Sequence, residues 1–458
     1  MTKTDLFTHA PTCALAALIA LTGCSDDAAG TEGDGGTDTG STSGGDEIDS
    51  ESGSVDESGS ADESDSSDES DTGEAETPCS LRWEALAMKT NGQTHAAYDV
   101  DIADDGTIVT VGLVGNDDND AWIAVYDAEG ELVWEETIDS GMGNDYAEGV
   151  AFDAEGDVVF VGSKASAADK ELWIERRSVA DGSVIWSMSE PSDHGDNEPG
   201  DIALAPDGAL LVAAGVYAAA QDRDIQLRKI AVADGSELWT SSYSGELDAN
   251  GYSIDQVTQL AVAPDGTAYV AGSQAVDYQT REGVLVAFGP DGGEPSWAVS
   301  PRASGSAHTH YGTVAAAGPE NEGYFVIRQT GANPRSWIYR VSADGQVEWE
   351  LEDELFEFAP TSNWIFAGLD VAEDDSLTIS GRLTNEEVGQ SLDWSEVFVA
   401  NFSRAGEGEC METHTWDNDR IVPASSYGYG MAEGPDGAVV VGEVINGPEN
   451  YLYIAAFK

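Results

Sequence analysis

Histidines and acidic residues give this sequence two candidate metal sites. His308 and His310 are separated by one residue, so an extended segment would place both imidazoles on one side as metal ligands. Residues 116–120 form an Asn-Asp-Asp-Asn-Asp run with the hard oxygen ligands that suit Ca²⁺. The candidate Ca²⁺ ligands are Asp117, Asp118 and Asp120. The histidines lack a third ligand in register and the run lacks the spacing of a calcium loop, so a solvated charged loop is the alternative. We expect no cofactor, with Ca²⁺ at this run as the one exception.

Catalytic motifs are absent from the sequence. It contains no G-x-S-x-G, no H-E-x-x-H, no G-x-x-x-x-G-K-[ST] and no intact G-x-G-x-x-G. We therefore predict no catalytic residue. With 87 Asp and Glu in 458 residues, a carboxylate pair suited to glycoside hydrolysis could still form in the fold without a sequence motif.

The charge balance narrows the range of partners. The 87 acidic residues stand against 19 basic ones, which gives a formal net charge of −68 at pH 7. Such an anionic surface repels the phosphates of nucleic acids and acidic lipid head groups. We expect no nucleic-acid partner and a monomeric protein.

The first 24 residues have the features of a lipoprotein signal. Lys3 precedes nine apolar residues, 13–21, which are too few for the roughly 20 that cross a bilayer but are typical of a signal-peptide core. Leu21-Thr22-Gly23-Cys24 resembles the bacterial lipobox, in which cleavage precedes a lipid-modified cysteine. The resemblance implies a signal peptide at 1–23, lipidation at Cys24 and an outer-membrane location, either periplasmic or surface-exposed. A plain secretory signal is the alternative.

The segment that follows has the composition of a disordered linker. Residues 25–78 contain 19 Asp and Glu, no Lys or Arg, and are otherwise mostly Ser, Gly, Thr and Ala. Too little apolar surface is present to offset the entropy lost on ordering. We expect residues 24–78 to be the lipidated cysteine and a disordered acidic linker.

Two cysteines remain in the rest of the chain. Cys79 and Cys410 are the only cysteines after residue 24, and an exported protein meets oxidising conditions. We predict that they form a disulfide, which requires a Cα separation within about 7 Å. The alternative is two unrelated buried thiols.

Tryptophan and glycine recur at regular intervals through residues 79–458, which indicates an internal repeat. The tryptophans fall at positions 83, 134, 186, 239, 297, 349 and 416, and a second-strand glycine falls at 112, 162, 215, 272, 331, 381 and 442. Short β-rich runs separated by turns such as Glu155-Gly156 give each repeat four strands. One such sheet cannot bury both faces, so the repeats must stack on each other.

The two ends of the repeat region complement each other. The last repeat has no fourth strand after Phe457, and Leu81-Arg82-Trp83 is an unmatched copy of that strand. We expect the N-terminal strand to complete the last sheet and close a ring, which also removes two open sheet edges.

A shared interval between glycine and tryptophan carries a family resemblance. The Gly-x-x-x-Trp pairs begin at Gly130, Gly182, Gly235, Gly293 and Gly345. The interval resembles the tryptophan-docking motif of PQQ-type (quinoprotein-like) propellers, and residues 149–163 resemble the short β-propeller repeats of bacterial secreted proteins. The resemblance implies an all-β, seven-bladed β-propeller at 79–458 and says little about activity. PQQ dehydrogenases of this type usually have eight blades and a vicinal cysteine pair, and this sequence has neither.

The long connections all belong to one side of such a ring. Six residues align just before the innermost strands and would surround the channel mouth on that side, as candidate binding-face residues. They are His95, Asp145, Asn197, Asp255, Thr309 and Ser426. The alternative is that they satisfy backbone groups at the strand starts.

These features favour a non-catalytic function. We expect a lipid-anchored binding or scaffold module of the bacterial cell envelope, which presents its loop-rich face to a protein, glycan or cation. A quinoprotein-like or carboxylate-based hydrolytic enzyme is the first alternative, and a purely structural envelope protein is the second.

Overall fold

The structure is a computed structural model that describes residues 79–87, 94–115, 118–167, 170–192, 194–246, 248, 251–277, 279–302, 309–330, 334–352, 363–385, 394–404, 406–414, 425–446 and 449–458. They lie within one compact unit, Glu76–Lys458. The predicted signal peptide at 1–23, Cys24 and the predicted linker at 24–78 are outside the described residues. Among the described residues, no helix is long and apolar enough to span a membrane.

The regular structure in the described ranges is β-strand throughout, in seven antiparallel sheets that we call blades. Blade 1 contains β2 (Thr94–Ile102), β3 (Ile108–Gly115), β4 (Asn119–Tyr126) and β5 (Leu132–Ile138); blade 2 contains β6 (Tyr146–Phe152), β7 (Val158–Ala165), β8 (Lys170–Arg177) and β9 (Val184–Glu190). Blade 3 contains β10 (Glu198–Leu204), β11 (Leu210–Ala219), β12 (Asp222–Ile230) and β13 (Glu237–Tyr243), with the short β14 (Ser253–Ile254) beside β12.

The remaining blades follow the same order. Blade 4 contains β15 (Gln256–Val262), β16 (Ala268–Ala275), β17 (Arg281–Phe288) and β18 (Trp297–Val299); blade 5 contains β19 (Thr309–Ala317), β20 (Gly323–Thr330), β21 (Arg335–Val341) and β22 (Val347–Glu352). Blade 6 contains β23 (Asn363–Val371), β24 (Leu377–Asn385), β25 (Trp394–Phe402) and β26 (Gly408–His414). Blade 7 contains β27 (Ser425–Gly434), β28 (Gly437–Asn446), β29 (Glu449–Phe457) and β1 (Leu81–Ala87).

The blades close into a ring. The first strand of each blade contacts the first strand of the next, and β27 of blade 7 contacts β2 of blade 1. In blade 7, β1 pairs antiparallel with β29, with Trp83 opposite Ala456. The N-terminal strand therefore completes the last sheet, and the predicted seven-bladed β-propeller is confirmed.

The hydrophobic core lies between neighbouring blades. One cluster joins Val109 and Ile123 of blade 1 to Val150 and Phe160 of blade 2, and similar clusters fill the other interfaces. Each sheet buries both faces this way, which explains the long apolar runs in its central strands.

Each innermost strand carries a β-bulge near its start. In blade 1 the register shifts between Ala97 and Asp99, which leaves Tyr98 as the extra residue. The extra residues in the seven blades are Tyr98, Glu148, Gly200, Thr258, Thr313, Ala367 and Tyr429. A bulge redirects its side chain away from the regular faces of the sheet.

Tryptophans of the outer strands dock on the third turn of the next blade. The ring of Trp134 lies against Gly182, where an added Cβ would come 3.1 Å from Cε3, and its indole N–H donates to the C=O of Val179 at 2.6 Å. The equivalent pairs are Trp83 with Gly130, Trp186 with Gly235, Trp239 with Gly292 and Trp297 with Gly345. These contacts give the resembled docking motif a physical basis.

Three of the predicted glycine positions do not match the structure. The glycine that contacts Trp239 is Gly292, and a Cβ added at Gly293 would meet nothing within 4 Å. The longer third turn of blade 4 shifts the contact by one residue. In blades 3 and 5 the register places Ala214 and Ile327 where the other second strands carry glycine. Gly215 lies one residue further along β11, and Gly331 lies outside the described residues. Gly312 on the neighbouring strand is opposite Ile327, and a Cβ added at Gly312 would clash with the C=O oxygen of Gly272 in blade 4.

The predicted disulfide between Cys79 and Cys410 is present, with a Cα separation of 6.1 Å. In its blade, Cys410 has the same register on the third strand as Trp134 has in blade 1. The sixth counterpart of the docking tryptophans is therefore Cys410. The predicted counterpart, Trp416, lies outside the described residues.

Candidate binding face and central channel

The two faces of the ring carry different connections. Most first and third turns of the blades, such as residues 103–107 and 127–131, are short and are closed by backbone hydrogen bonds of about the ideal length. We call their side the tight-turn face. The second turns and the connections between blades lie on the opposite side, the long-loop face, and include residues 139–145 and 244–255.

Two of the six predicted binding-face residues hold the long-loop face together. The carboxylate of Asp145 accepts the N–H of Ser140 at 2.6 Å and that of Ala165 at 2.7 Å. Asp145 is 1% exposed. Each carboxylate oxygen thus has a backbone partner, one in the connection from blade 1 and one at the end of β7.

Asp255 repeats this arrangement two blades away. Its carboxylate accepts the N–H of Gly245 at 2.7 Å and that of Ala275 at 3.0 Å, and the residue is fully buried. Burial raises the pKa of Asp255, while these two backbone hydrogen bonds lower it. The alternative stated above, that the aligned residues satisfy backbone groups, describes these two.

The other four residues are placed at or beside the starts of innermost strands. His95 and Asn197 are buried, and Thr309 is partly exposed and accepts a hydrogen bond from Thr330 through its C=O at 3.4 Å. The backbone of Ser426 lies in β27. By register from the bulge, the blade 5 counterpart of these residues is His310 and not Thr309. A role of the six in binding stays a prediction.

One candidate metal ligand has carboxylate neighbours. Asp120, Asp139 and Asp145 each place an oxygen within 4.8 Å of the others. Burial raises the pKa of Asp120, and repulsion from Asp139, Asp118 and Asp145 raises it further. Asp118 is exposed, and Asp117 lies outside the described residues. Both oxygens of Asp145 accept backbone N–H groups, so this residue holds the loop at residues 139–145 in place.

The histidine pair is not brought together as a described site. His310 is buried, its Nε2 lies 3.3 Å from Oε1 of Gln329, and its ring is in edge contact with Trp337. His308 lies outside the described residues. In the described part of the chain, His310 is a packed residue of blade 5.

Carboxylates of the innermost strands tie neighbouring blades together along the channel. Asp99 of blade 1 accepts the N–H of Val150 in blade 2 at 2.8 Å, and Asp201 of blade 3 accepts that of Leu260 in blade 4 at 2.9 Å. Blade 2 has Gly149 at the equivalent position, where an added Cβ would lie 2.8 Å from Cα of Asp201. The missing side chain lets blade 3 approach blade 2 closely.

The same carboxyls have raised pKa values. Burial raises the pKa of Asp99, and the charge of Asp201 raises it further. Burial raises the pKa of Asp201 to about 7. Both side chains are nevertheless partly exposed. These partly exposed carboxyls lie on innermost strands, so the recess that they border is the central channel of the ring.

Glu148 is the bulge residue of blade 2, is partly exposed, and raises the pKa of Tyr98 in blade 1 by its charge. Burial and the charge of Glu198 raise the pKa of Glu148, Lys170 lowers it, and the result is a pKa of about 8. Glu198 is ion-paired with Arg223. Glu148 therefore keeps its proton near neutral pH beside a charged pair.

Two tyrosines occupy the bulges of blades 7 and 1. The rings of Tyr98 and Tyr429 are in edge contact with centroids 6.0 Å apart, and the hydroxyl of Tyr429 donates to Glu443 at 2.5 Å. Burial raises the pKa of both tyrosines, so they stay protonated. Tyr98, Tyr429 and Glu148 thus form one aromatic and polar sector, which we call the bulge sector.

The bulge sector was missed in the sequence. Its members lie three residues after His95, Asp145 and Ser426, which the repeat alignment does identify. The signal that could have found them is this constant offset. The bulge itself leaves no fixed residue type, because its position is filled by Tyr, Glu, Gly, Thr or Ala in different blades.

Comparison with known proteins supports the fold. No protein-family model and no curated protein matches the sequence. The solved structure of polysaccharide lyase Uly1 is 9% identical, with 82% of this chain and 99% of that chain covered and a TM-score of 0.52. Quinohemoprotein alcohol dehydrogenase from Comamonas testosteroni is 10% identical, with 82% and 76% covered and a TM-score of 0.45. A europium-containing methanol dehydrogenase is 11% identical, with 78% and 81% covered and a TM-score of 0.42. At these identities the likeness concerns the fold alone, and the seven-bladed β-propeller is established by the sheets of this chain itself.

Proposed function

We propose that this protein is a lipid-anchored, non-catalytic binding module of the bacterial cell envelope that binds a glycan at the long-loop end of its channel. The bulge sector is the observation that carries the proposal. It combines tyrosine rings with hydrogen-bonding groups in a recess that solvent reaches. Sugars present both apolar C–H faces and hydroxyls, and such surfaces suit amphipathic rings with polar neighbours.

The charge of the ring restricts the class of glycan. Residues 79–458 contribute most of the net charge of −68, so a polyanionic polysaccharide would be repelled. Glu148 stays protonated in the recess and can donate a hydrogen bond as well as accept one. A neutral or cationic oligosaccharide fits both features.

The hydrogen bonds of the channel carboxyls support a non-catalytic role. Asp99, Asp101 and Asp201 each accept at least one backbone N–H. Carboxyls held in this way are fixed parts of the ring. Their oxygens hold the backbone of neighbouring strands in place, which is a structural task that involves no substrate.

Titration calorimetry with neutral and amino-sugar oligosaccharides tests the proposal. We expect binding to the wild type, a loss of at least about tenfold in affinity for Tyr98→Ala and Tyr429→Ala, and near-wild-type affinity for the matched Tyr98→Phe. Absence of binding to every oligosaccharide, or equal affinity in the alanine variants, would refute it. Mass spectrometry of the N-terminal peptide tests the anchor, since a diacylglyceryl group is expected on Cys24 and disappears in Cys24→Ala.

A carboxylate-based hydrolase is the second candidate, and Glu148 favours it. A general acid must hold a proton near neutral pH, which a pKa of about 8 provides, and Glu198 lies close enough to influence that pKa. Chromatography of the same oligosaccharides after incubation distinguishes the two functions. Cleavage that is lost in Glu148→Gln, while binding is kept, would favour the enzyme.

A further inference from the structure

The disulfide occupies the place of a docking contact. Trp134 follows Gly130 by four residues, and Trp83 follows Cys79 by the same interval. Cys79 has a φ of 65°, close to the 84° of Gly130. Cys79 is thus the blade 7 counterpart of the third-turn glycine, and Cys410 is the blade 6 counterpart of the tryptophan. A covalent bond joins the two positions that elsewhere make a van der Waals contact.

The third turn of blade 7 is split between the two ends of the ring. In blade 1 the N–H of Asp127 donates to the C=O of Glu131 at 3.0 Å, and the N–H of Gly130 donates to the C=O of Asp127 at 2.9 Å. In blade 7 the N–H of Lys458 donates to the C=O of Ser80 at 2.9 Å, and the N–H of Cys79 donates to the C=O of Lys458. The turn keeps its hydrogen bonds but has no covalent bridge.

This split exposes β1 to peeling. β1 is an outermost strand, and within its sheet it pairs with β29 alone. A pull on the chain before Cys79 would act first on the pair Leu81 and Phe457, then on the next pair, so the hydrogen bonds would break one after another. Sequential opening needs less force than breaking several pairs at once.

The disulfide changes where such a pull acts. Cys79 precedes the first pair of β1, so tension that enters at Cys79 reaches Cys410 before it reaches β1. Cys410 lies inside β26 and has paired residues on both sides. Several hydrogen bonds of β26 therefore share the force.

We propose that the Cys79–Cys410 bond is a tension clamp that passes a pull on the N-terminal chain into blade 6 and protects the ring closure made by β1. The inference rests on the proposed function in one respect, because a lipid anchor at Cys24 is the source of tension. The clamp itself can be measured without the lipid, so failure of the anchor and failure of the clamp are separate results.

Single-molecule force spectroscopy tests the clamp in the chain from residue 25 onward. One handle is ligated to the N-terminus and the other to a reactive residue placed at Glu294, an exposed position in the third turn of blade 4. We expect the oxidised protein to show no early step. After reduction in the instrument, an early low-force step of about 30 Å should appear, the extended length of residues 79–87.

Two variants make the result specific. Cys79→Ala with Cys410→Ala should show the early step without reductant, and reduction of the folded wild type covers the case in which this variant does not fold. Trp186→Ala removes a docking contact between blades 2 and 3 and should not produce the early step. Identical first steps in oxidised and reduced protein, or the same early step in Trp186→Ala, would overturn the proposal.

Discussion

Asp145 and Asp255 use their carboxylates in the same way in two different blades. Each joins the connection entering its blade to the end of the second strand, through two backbone N–H groups. Two of the N–H donors, Ser140 and Gly245, each lie six residues after a docking tryptophan. The repeat therefore includes its loop anchors as well as its strands.

Asp255→Ala should lower the free energy of unfolding. The substitution leaves two backbone N–H groups buried without an acceptor, which costs about 2–4 kcal/mol. Urea denaturation followed by tryptophan fluorescence measures the loss. The exposed Asp277 also accepts two N–H groups, but within its own loop, so Asp277→Ala is the control and should cost less than about 1 kcal/mol. Equal losses in both variants would contradict the anchoring role.

Gly130→Ala should be more destabilising than Gly156→Ala. Both glycines have a positive φ, 84° and 83°, so alanine costs about 1–2 kcal/mol of backbone strain at each. At Gly130 the new Cβ would also lie 2.8 Å from the ring of Trp83, whereas at Gly156 it would meet nothing within 4 Å. We expect an additional loss of about 1–3 kcal/mol at Gly130, measured by thermal unfolding. A difference near zero would mean that the tryptophan contact contributes little to stability.

The folded protein should become less stable as the pH rises from 5 to 8.5. Burial raises the pKa of Glu148 to about 8 and that of Asp201 to about 7, against about 4 for both in an unfolded chain. Between these values the folded state holds protons that the unfolded state releases, so stability falls with increasing pH. The contribution is complete below about pH 4 and is lost above about pH 8.

Glu148→Gln is the matched test of this pH dependence. It removes one titrating group and keeps the shape of the side chain, so the fall in Tm between pH 5 and 8.5 should become smaller. Scanning calorimetry at both pH values compares the two proteins. An unchanged slope would show that Glu148 does not titrate in the folded state as described.

The repeat was predictable because it depends on residue types with strict conformational roles. Glycine at positive φ and tryptophan on the outer strand are nearly constant from blade to blade, and their spacing predicts the sheets and the ring closure by β1. The disulfide was predictable for a simpler reason, since Cys79 and Cys410 have no competing cysteine in the ring.

The channel could not be predicted in the same way. The hydrogen bond from Val150 to Asp99 joins residues that are 51 positions apart, and no local pattern marks it. The residue equivalent to Asp99 is Gly149 in blade 2 and Asp201 in blade 3. The residue type at this position therefore differs from one interface between blades to the next. Thr309 was misplaced by one residue because the alignment could not locate the bulge in blade 5.

The split turn of blade 7 makes the starting point of the ring arbitrary. Lys458 and Cys79 correspond to Asp127 and Gly130 of blade 1, which are joined by two residues, Ala128 and Glu129. A gene that encodes a two-residue link from Lys458 to Cys79, and that opens instead between Glu155 and Gly156, should yield a circular permutant with the same seven sheets. In such a permutant the chain would enter the ring at blade 2, so a tether fused to the new N-terminus would leave from a different point of the tight-turn face.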